Sequence, residues 1–478
     1  MNKFRLHIQS DRPFPTSSFH KAQLMPLVSR KEQHVKRPSL VRSAFYGAAA
    51  SSALALGWVG CGAPAVRAQE LMRDSLAGAD VAEARRPSLE ERNYNLKVGP
   101  VRFLASAYAG LEYNDNINYS EVNRTSDVLV RFGINLEAIW NITRLNTLDV
   151  TLGIGYLRYI DHPNATNTNV VIAPGSQVAF DIFIANTFRL NIHDRFDLRQ
   201  DPIDNPTLSG VSDFSRFTNT AGLTLVADYN KMVVTAGYDH FNYISLNNTF
   251  DFLDRSAEQF FGSVVFNIAP RTYLGVEGTA AITDYERDFN NDSVGFTAGL
   301  FFDMTLNPNL RFIARGGYQY ASFDRPRRPI GLITVPGGTV FDFTGSNGDR
   351  SDLSAFYANL TIENRLNAYI TQTLSVGREN DLGLTSNYIE VNYVRWNAQW
   401  RVLNNFSLGT GAFYEHDSES GGIIDETLDR YGFDLSLGYD FTNHLSALFH
   451  YAYVNKDSDR PFRSYYQNRV GVDVNYRF

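Results

Sequence analysis

The chain has 478 residues and a formal net charge of −7, with 34 Phe and 26 Tyr but a single Cys. Residues 1–68 hold ten Lys/Arg against Asp11 and Glu32, which leaves 34 basic and 49 acidic residues in 69–478, a net of −15. So acidic a body, without a basic patch, excludes binding by phosphate neutralisation and hence nucleic acid as a partner. Past the N-terminal region no stretch carries the roughly 20 mainly apolar residues of a membrane-spanning helix.

In chain order, Lys36, Arg37 and Arg42 precede an uncharged run over 43–66 whose apolar centre is 44–59. Val66-Arg67-Ala68 then sets small or apolar residues at the −3 and −1 positions before Gln69. That order predicts a signal peptide over 1–68, with Met25 as an alternative start. A membrane anchor is the competing reading, but Gly, Ala and Ser dilute the run. A lipoprotein site at Cys61 is another, but Trp58 stands where such signals carry Leu. Loss of Cys61 with the leader leaves a mature chain without thiols, which is compatible with an oxidising compartment. Residues 69–97 are charged and mixed, and read as a short periplasmic extension. They are too few for the plug of a TonB-dependent transporter.

From 98 to 478 the pattern has a period of two, the signature of strands with one apolar face. Val128, Val130, Phe132, Ile134, Leu136, Ala138 and Trp140 share one side, while Arg131, Asn135 and Glu137 fall on the other. Eighteen such segments are predicted: 98–113, 127–140, 146–159, 176–185, 188–198, 217–227, 232–243, 255–268, 272–285, 292–304, 310–320, 353–363, 368–378, 387–400, 406–416, 429–440, 445–455 and 464–478. Asp194 is an exception on the apolar side of its segment. The connections alternate short and long, the longest being 321–352.

Each segment meets the ~9–11 tilted residues that cross a bilayer. A β-sandwich or propeller also alternates, but its strands average about five to six residues. Eighteen greasy faces would also need a large second layer, and the sequence offers no helices to cover them. The predicted fold is therefore all-β: a transmembrane up-and-down antiparallel barrel of about eighteen strands, with short periplasmic turns and long extracellular loops. Tyr113, Trp140, Tyr156, Tyr238, Tyr318, Trp400, Tyr414, Tyr439, Tyr453 and Tyr476 fall near segment ends on the apolar side, where headgroup-level rings belong.

Particular strings resemble the bacterial β-barrel porin type 2 family: Gly110-Leu111-Glu112-Tyr113-Asn114-Asp115-Asn116-Ile117, His193-Asp194-Arg195-Phe196, Gly237-Tyr238-Asp239-His240-Phe241, Gly377-Arg378-Glu379-Asn380-Asp381-Leu382-Gly383 and Gln467-Asn468-Arg469-Val470. The resemblance runs through most of 98–478. It implies an outer-membrane barrel, often encoded near exopolysaccharide genes, with passive diffusion or polysaccharide export as its role. The terminal Tyr476 and Phe478 resemble the signal by which the barrel-assembly machinery recognises its clients.

Candidate pore-lining residues follow from the inward parity: Arg131, Glu137, Arg189, His193, Arg195, Asp197, Glu277, Arg311, Arg315, Glu363 and Arg395, together with Asp149, Asp181 and Arg378. Such charges suit a wet lumen, or else pair with one another in a narrow one. Arg325, Arg327 and Arg328 in the longest loop are candidates for a constriction, should that loop fold inward. No HExxH, CxxC or P-loop pattern is present, and no cofactor or catalytic residue is expected. His240 and His416, beside Asp239 and Glu415/Asp417, are read as solvated rim groups rather than a catalytic or metal site. Asp417, Glu419, Asp425, Glu426 and Asp429 match no EF-hand spacing. The functional expectation is an outer-membrane channel for polar solutes or exopolysaccharide, in contact with lipid and lipopolysaccharide. The alternatives are a non-conducting surface-interaction barrel and, more weakly, a rim enzyme.

Overall fold

In the computed structural model, residues 94–184, 187–324 and 346–478 are described. The strands are β1 (Leu96–Val98), β2 (Val101–Asn114), β3 (Asp127–Asn141), β4 (Asn146–Tyr159), β5 (Val170–Ile184), β6 (Phe188–Arg199), β7 (Arg216–Asp228), β8 (Met232–Ser245), β9 (Arg255–Ala269), β10 (Thr272–Tyr285), β11 (Ser293–Asn307), β12 (Leu310–Phe323), β13 (Leu353–Arg365), β14 (Ile370–Leu382), β15 (Tyr388–Leu403), β16 (Phe406–Glu419), β17 (Thr427–Asp440), β18 (Leu445–Ser458) and β19 (Tyr465–Arg477). From β2 to β19 each strand pairs antiparallel with the next. β19 then pairs with β2, from Arg469↔Asn114 to Arg477↔Ser106, and closes the ring. The eighteen-stranded antiparallel barrel expected from the alternation is what forms. Among the described residues no helix is long and apolar enough to cross a membrane.

Several strands, among them β12, β14, β15, β16 and β18, run three or four residues past their expected ends, and two boundaries differ because the chain bulges or turns. β5 begins at Val170, because a bulge over Ala173–Gly175 masks the alternation there. Its ladder with β4 shifts between Thr151 and Ile154, and Gly175 takes φ +88°. The first segment breaks at Gly99, whose φ of +59° turns the chain so that β1 folds back on β2.

That hairpin finishes the seam. β19 covers residues 106–114 of β2, and β1 covers 101–103. Between them the Asn95 side chain stands in for a strand residue: its Nδ2 donates to the Ala105 carbonyl at 2.7 Å and its Oδ1 accepts from the Ala105 amide at 3.0 Å. The Phe478 amide donates to the same carbonyl at 3.2 Å.

Outside, the band is apolar, with Phe132, Ile134, Val276, Val294, Leu300 and Phe356 all more than half exposed. Asp194 lies among these groups as the alternation requires, and Asn219 donates to it. Inside, bulky rings rest on glycines of neighbouring strands. A Cβ on Gly133 or Gly155 would fall about 2.6 or 2.5 Å from the Tyr108 hydroxyl, so both positions need the bare backbone.

Asn95→Ala would leave the Ala105 amide unpaired and its carbonyl with the Phe478 amide alone, at a cost of about 1–3 kcal/mol. Urea unfolding from detergent micelles should show this loss; unchanged stability would mean that the seam is held elsewhere.

Candidate functional site

Strand alternation decides which side chains reach the interior. On β3 the inward face is Leu129, Arg131, Asn135, Glu137 and Ile139, opposite exposed Phe132, Ile134 and Trp140. By the same parity Arg189, His193, Arg195, Asp197, Glu277, Arg311, Arg315, Glu363 and Arg395 point inward, as do Asp149 and Asp181. Arg378 does not. It shares its face with exposed Val376, turns outward and pairs with Glu390 on β15 at 2.5 Å.

The inward charges are compensated across the wall. Arg131 meets Asp473 at 2.7 Å and Glu112 at 3.3 Å. Arg469 meets Glu112 at 2.8 Å, and His450 lies 3.1 Å from Glu112 and 3.3 Å from Asp473. Arg189 pairs with Asp181 at 2.8 Å and Arg199 with Asp197 at 2.8 Å, while His193 Nε2 is 3.1 Å from Asp239. Arg311 bridges Asp303 at 2.7 Å and Glu363 at 3.2 Å. Arg395 reaches Glu415 at 2.8 Å, and Arg430 joins the same carboxylate. Glu277 accepts from the Tyr357 hydroxyl at 3.2 Å. Arg195 is exposed on the inner face.

The β6–β7 loop folds inward. Asp201 caps a short 3₁₀ turn over Pro202–Asp204, accepting from the Ile203 amide at 3.0 Å, and the two prolines at 202 and 206 stiffen the segment. At its root Asp204 takes Arg199 and Arg216, both at 2.9 Å. Its middle reaches strands five to seven places away around the ring, from β6 back through β5, β4, β3 and β2 to β19, β18 and β17. There Asp201 pairs with Arg469 of β19 at 2.8 Å and accepts from Tyr119. Arg430 of β17 donates to the Ile203 carbonyl at 2.7 Å. Lys456 of β18 donates to Ser209 at 3.1 Å, and Arg463 donates to the Thr207 carbonyl. The Ile203 side chain packs against Tyr119, Phe413, Val454 and Tyr465. A span this long, anchored on both sides, crosses the mouth of the barrel.

Other loops join it at the long-loop end. Leu208 and Phe214 from this loop pack with Phe250, Phe252 and Leu253, Phe289 and Leu384, which come from three further connections. The Phe214–Phe250 and Phe252–Phe289 rings meet edge to face at 4.9 and 4.7 Å. Asn291 ties three loops together, donating to Asn387 at 2.7 Å and to the Asp349 carbonyl at 3.0 Å.

Arg325, Arg327 and Arg328, the expected constriction candidates, lie outside the described residues. The crossing loop escapes a reading of the sequence because its anchors are far away along the chain: Arg469 lies 268 positions from Asp201. The usable signal is the capped, proline-flanked Asp201-Pro202-Ile203-Asp204-Asn205-Pro206 run. The histidines are also redistributed. His240 and His416 face outward, and their partners are Glu258 and Asp429 on the neighbouring strands, both at 2.9 Å. Their sequence neighbours Asp239, Glu415 and Asp417 belong to the opposite, inner face, since adjacent residues of a strand point apart. Among the described residues no group of three or more His, Cys, Asp or Glu is placed to hold a metal ion. Tyr476 and Phe478 are exposed on the outer face, their rings edge to face at 5.4 Å.

Between β16 and β17, Glu426 is held by Lys456 and Arg463, both at 2.8 Å. Burial pushes the Glu426 carboxyl up, but Lys456 and Arg463 outweigh it and hold it below the ordinary value. A lowered folded pKa contributes stability above the unfolded value of about 4.3, lost as pH falls through the folded one. Hydrogen exchange at Asp459, whose amide donates to the Thr427 carbonyl, should therefore stay slow from neutral pH down to about 4.3 and, corrected for intrinsic rates, rise only below it. Loss of protection already near neutral pH would contradict the anchoring role.

No family model matches the chain, and no curated protein matches it in sequence. Among solved structures it is similar to the outer membrane protein OpdK of Pseudomonas aeruginosa, at 10% identity and a TM-score of 0.44 over 79% of this chain and 99% of that one. It is also similar to OpdQ of the same organism, at 8% identity and a TM-score of 0.45 over 80% and 100%. A third is OccK2 (OpdF) crystallised with glucuronate, at 11% identity and a TM-score of 0.44 over 79% and 98%. At this distance the fold assignment stands on the strand pairing itself, and function has to be argued from the geometry.

Proposed function

We propose that this chain is an outer-membrane channel that passes small polar solutes. The observation that carries the reading is the β6–β7 loop drawn across a charged interior by Arg469, Arg430, Lys456 and Arg463. A barrel that served only as a wall would need neither a polar inner face nor a loop narrowing it. The exposed apolar band needs a cover, and lipid covers it without a second protein layer. Residues 1–68 then act as the export signal, 69–94 as a periplasmic lead-in to the seam hairpin, and the long loops face outward amid lipopolysaccharide. Tyr476 and Phe478 present the aromatic end that the assembly machinery reads. Passage of a polysaccharide belongs to the same pore reading, but a chain has to thread past a tethered loop, so small solutes fit better. We assign the protein no enzymatic activity.

A second reading, a non-conducting barrel whose loops bind a partner, is favoured by one feature: the apolar cluster that knits four connections together over the mouth.

Planar-bilayer recording separates the two. The folded protein should give discrete conductance steps. Asp201→Asn combined with Arg463→Gln removes two of the four anchors, and should loosen the loop and raise single-channel conductance by about twofold. Folded protein that never conducts, with or without these substitutions, contradicts the channel.

A further inference from the structure

We propose that the channel is built for uncharged, hydroxyl-rich solutes, and that a recess in its inner wall holds a single sugar ring. The proposal rests on the channel reading and names its substrate class.

The first observation is how the inner charges are arranged. A channel that sorts ions sets cations on one side and anions on the other, so that a field runs across the lumen. Here the two signs are intimately mixed. Arg189 with Asp181, Arg199 with Asp197 and Arg311 with Asp303 are contacts of 2.7–2.8 Å between neighbouring inward positions. Opposite charges that close form a dipole, whose field fades within a few ångströms of the wall in water. A charged solute gains little from such a wall, while hydroxyl groups find donors and acceptors at every level.

The second observation is a cavity of about 160 Å³ where β2, β3, β4 and β19 meet the bulge of β5. Ser106, Asn135, Glu137, Thr151, Asn475 and Arg477 supply its polar groups, hydroxyls, amides and one charge of each sign, while Leu104, Leu152 and Pro174 help make the larger part of its wall apolar. The bulge makes the space, because the β4–β5 ladder parts between Thr151 and Ile154 while Ser176 holds the Gly153 amide at 3.1 Å. Asn475 Oδ1 is shielded from solvent without a hydrogen-bond partner, an acceptor that a sugar hydroxyl would satisfy. At a liquid share of about 30 Å³ per water the cavity holds roughly five waters, a bulk comparable to one monosaccharide.

The test uses the whole folded barrel in planar bilayers, with a linear glucose trisaccharide and gluconate as probes. Under a KCl gradient, potassium and chloride permeabilities should agree within about threefold. The trisaccharide should interrupt the current reversibly, and gluconate should not. Asn135→Leu and Thr151→Val, tested separately so that one misfolded variant does not decide the matter, should each shorten the interruptions by about tenfold. A preference of about tenfold or more for either ion, or block by gluconate and not by the trisaccharide, overturns the solute class while the channel stands. Interruptions unchanged in both variants overturn the recess. Absence of any conductance overturns the channel itself, and this proposal with it.

Discussion

The structure depends on one constraint: the hydrogen-bond ladder must close on itself. An open sheet of these strands would present two unpaired edges to an apolar surrounding, where each orphan backbone group costs several kcal/mol. The join of β19 to β2 removes both edges. Because β19 is staggered against β2, its pairing running only from Arg469↔Asn114 to Arg477↔Ser106, β1 and the Asn95 amide complete the remainder. The chain thus uses residues 95–98 to finish what its last strand leaves open.

Closure fixes the chemistry on both sides. Once the ring is shut, alternation sends every second side chain inward, and a body this acidic must place its charges there among arginines. The inner wall is for that reason a mesh of ion pairs and not a packed core. Removing one partner of such a pair is expensive, because a charge is then left without compensation. The same economy anchors the β6–β7 loop: Glu112 and Asp201 share Arg469, so the wall network and the loop are held by one guanidinium.

Most of the barrel is legible in the sequence, because a period of two sustained over ten or more residues suits a long strand and little else. Strand number, the rhythm of short and long connections and the inward parity of residues such as Arg131 and Arg311 all follow from it. Features that break or escape the period are not legible. The β5 bulge hides the first residues of its strand, and β1 is too short to show a pattern. Arg378 is the inward assignment that fails, although the same alternation, counted from Val376, turns it outward. Partners across strands are invisible as well: His240 meets Glu258 rather than adjacent Asp239, and the anchors of the crossing loop are distant in sequence. Proline and Asx caps in 201–206 tell of a rigid segment but not of its direction.

The claim beneath all of this is that acyl chains cover the outer band. Trp140 and Trp400 sit on that band, each about two-fifths exposed, and report on what touches them. Reconstitution into vesicles whose lipids carry brominated acyl chains, followed by tryptophan fluorescence, addresses the claim directly. The account predicts strong quenching relative to unbrominated vesicles. Emission that is the same in both, from folded protein, would contradict it.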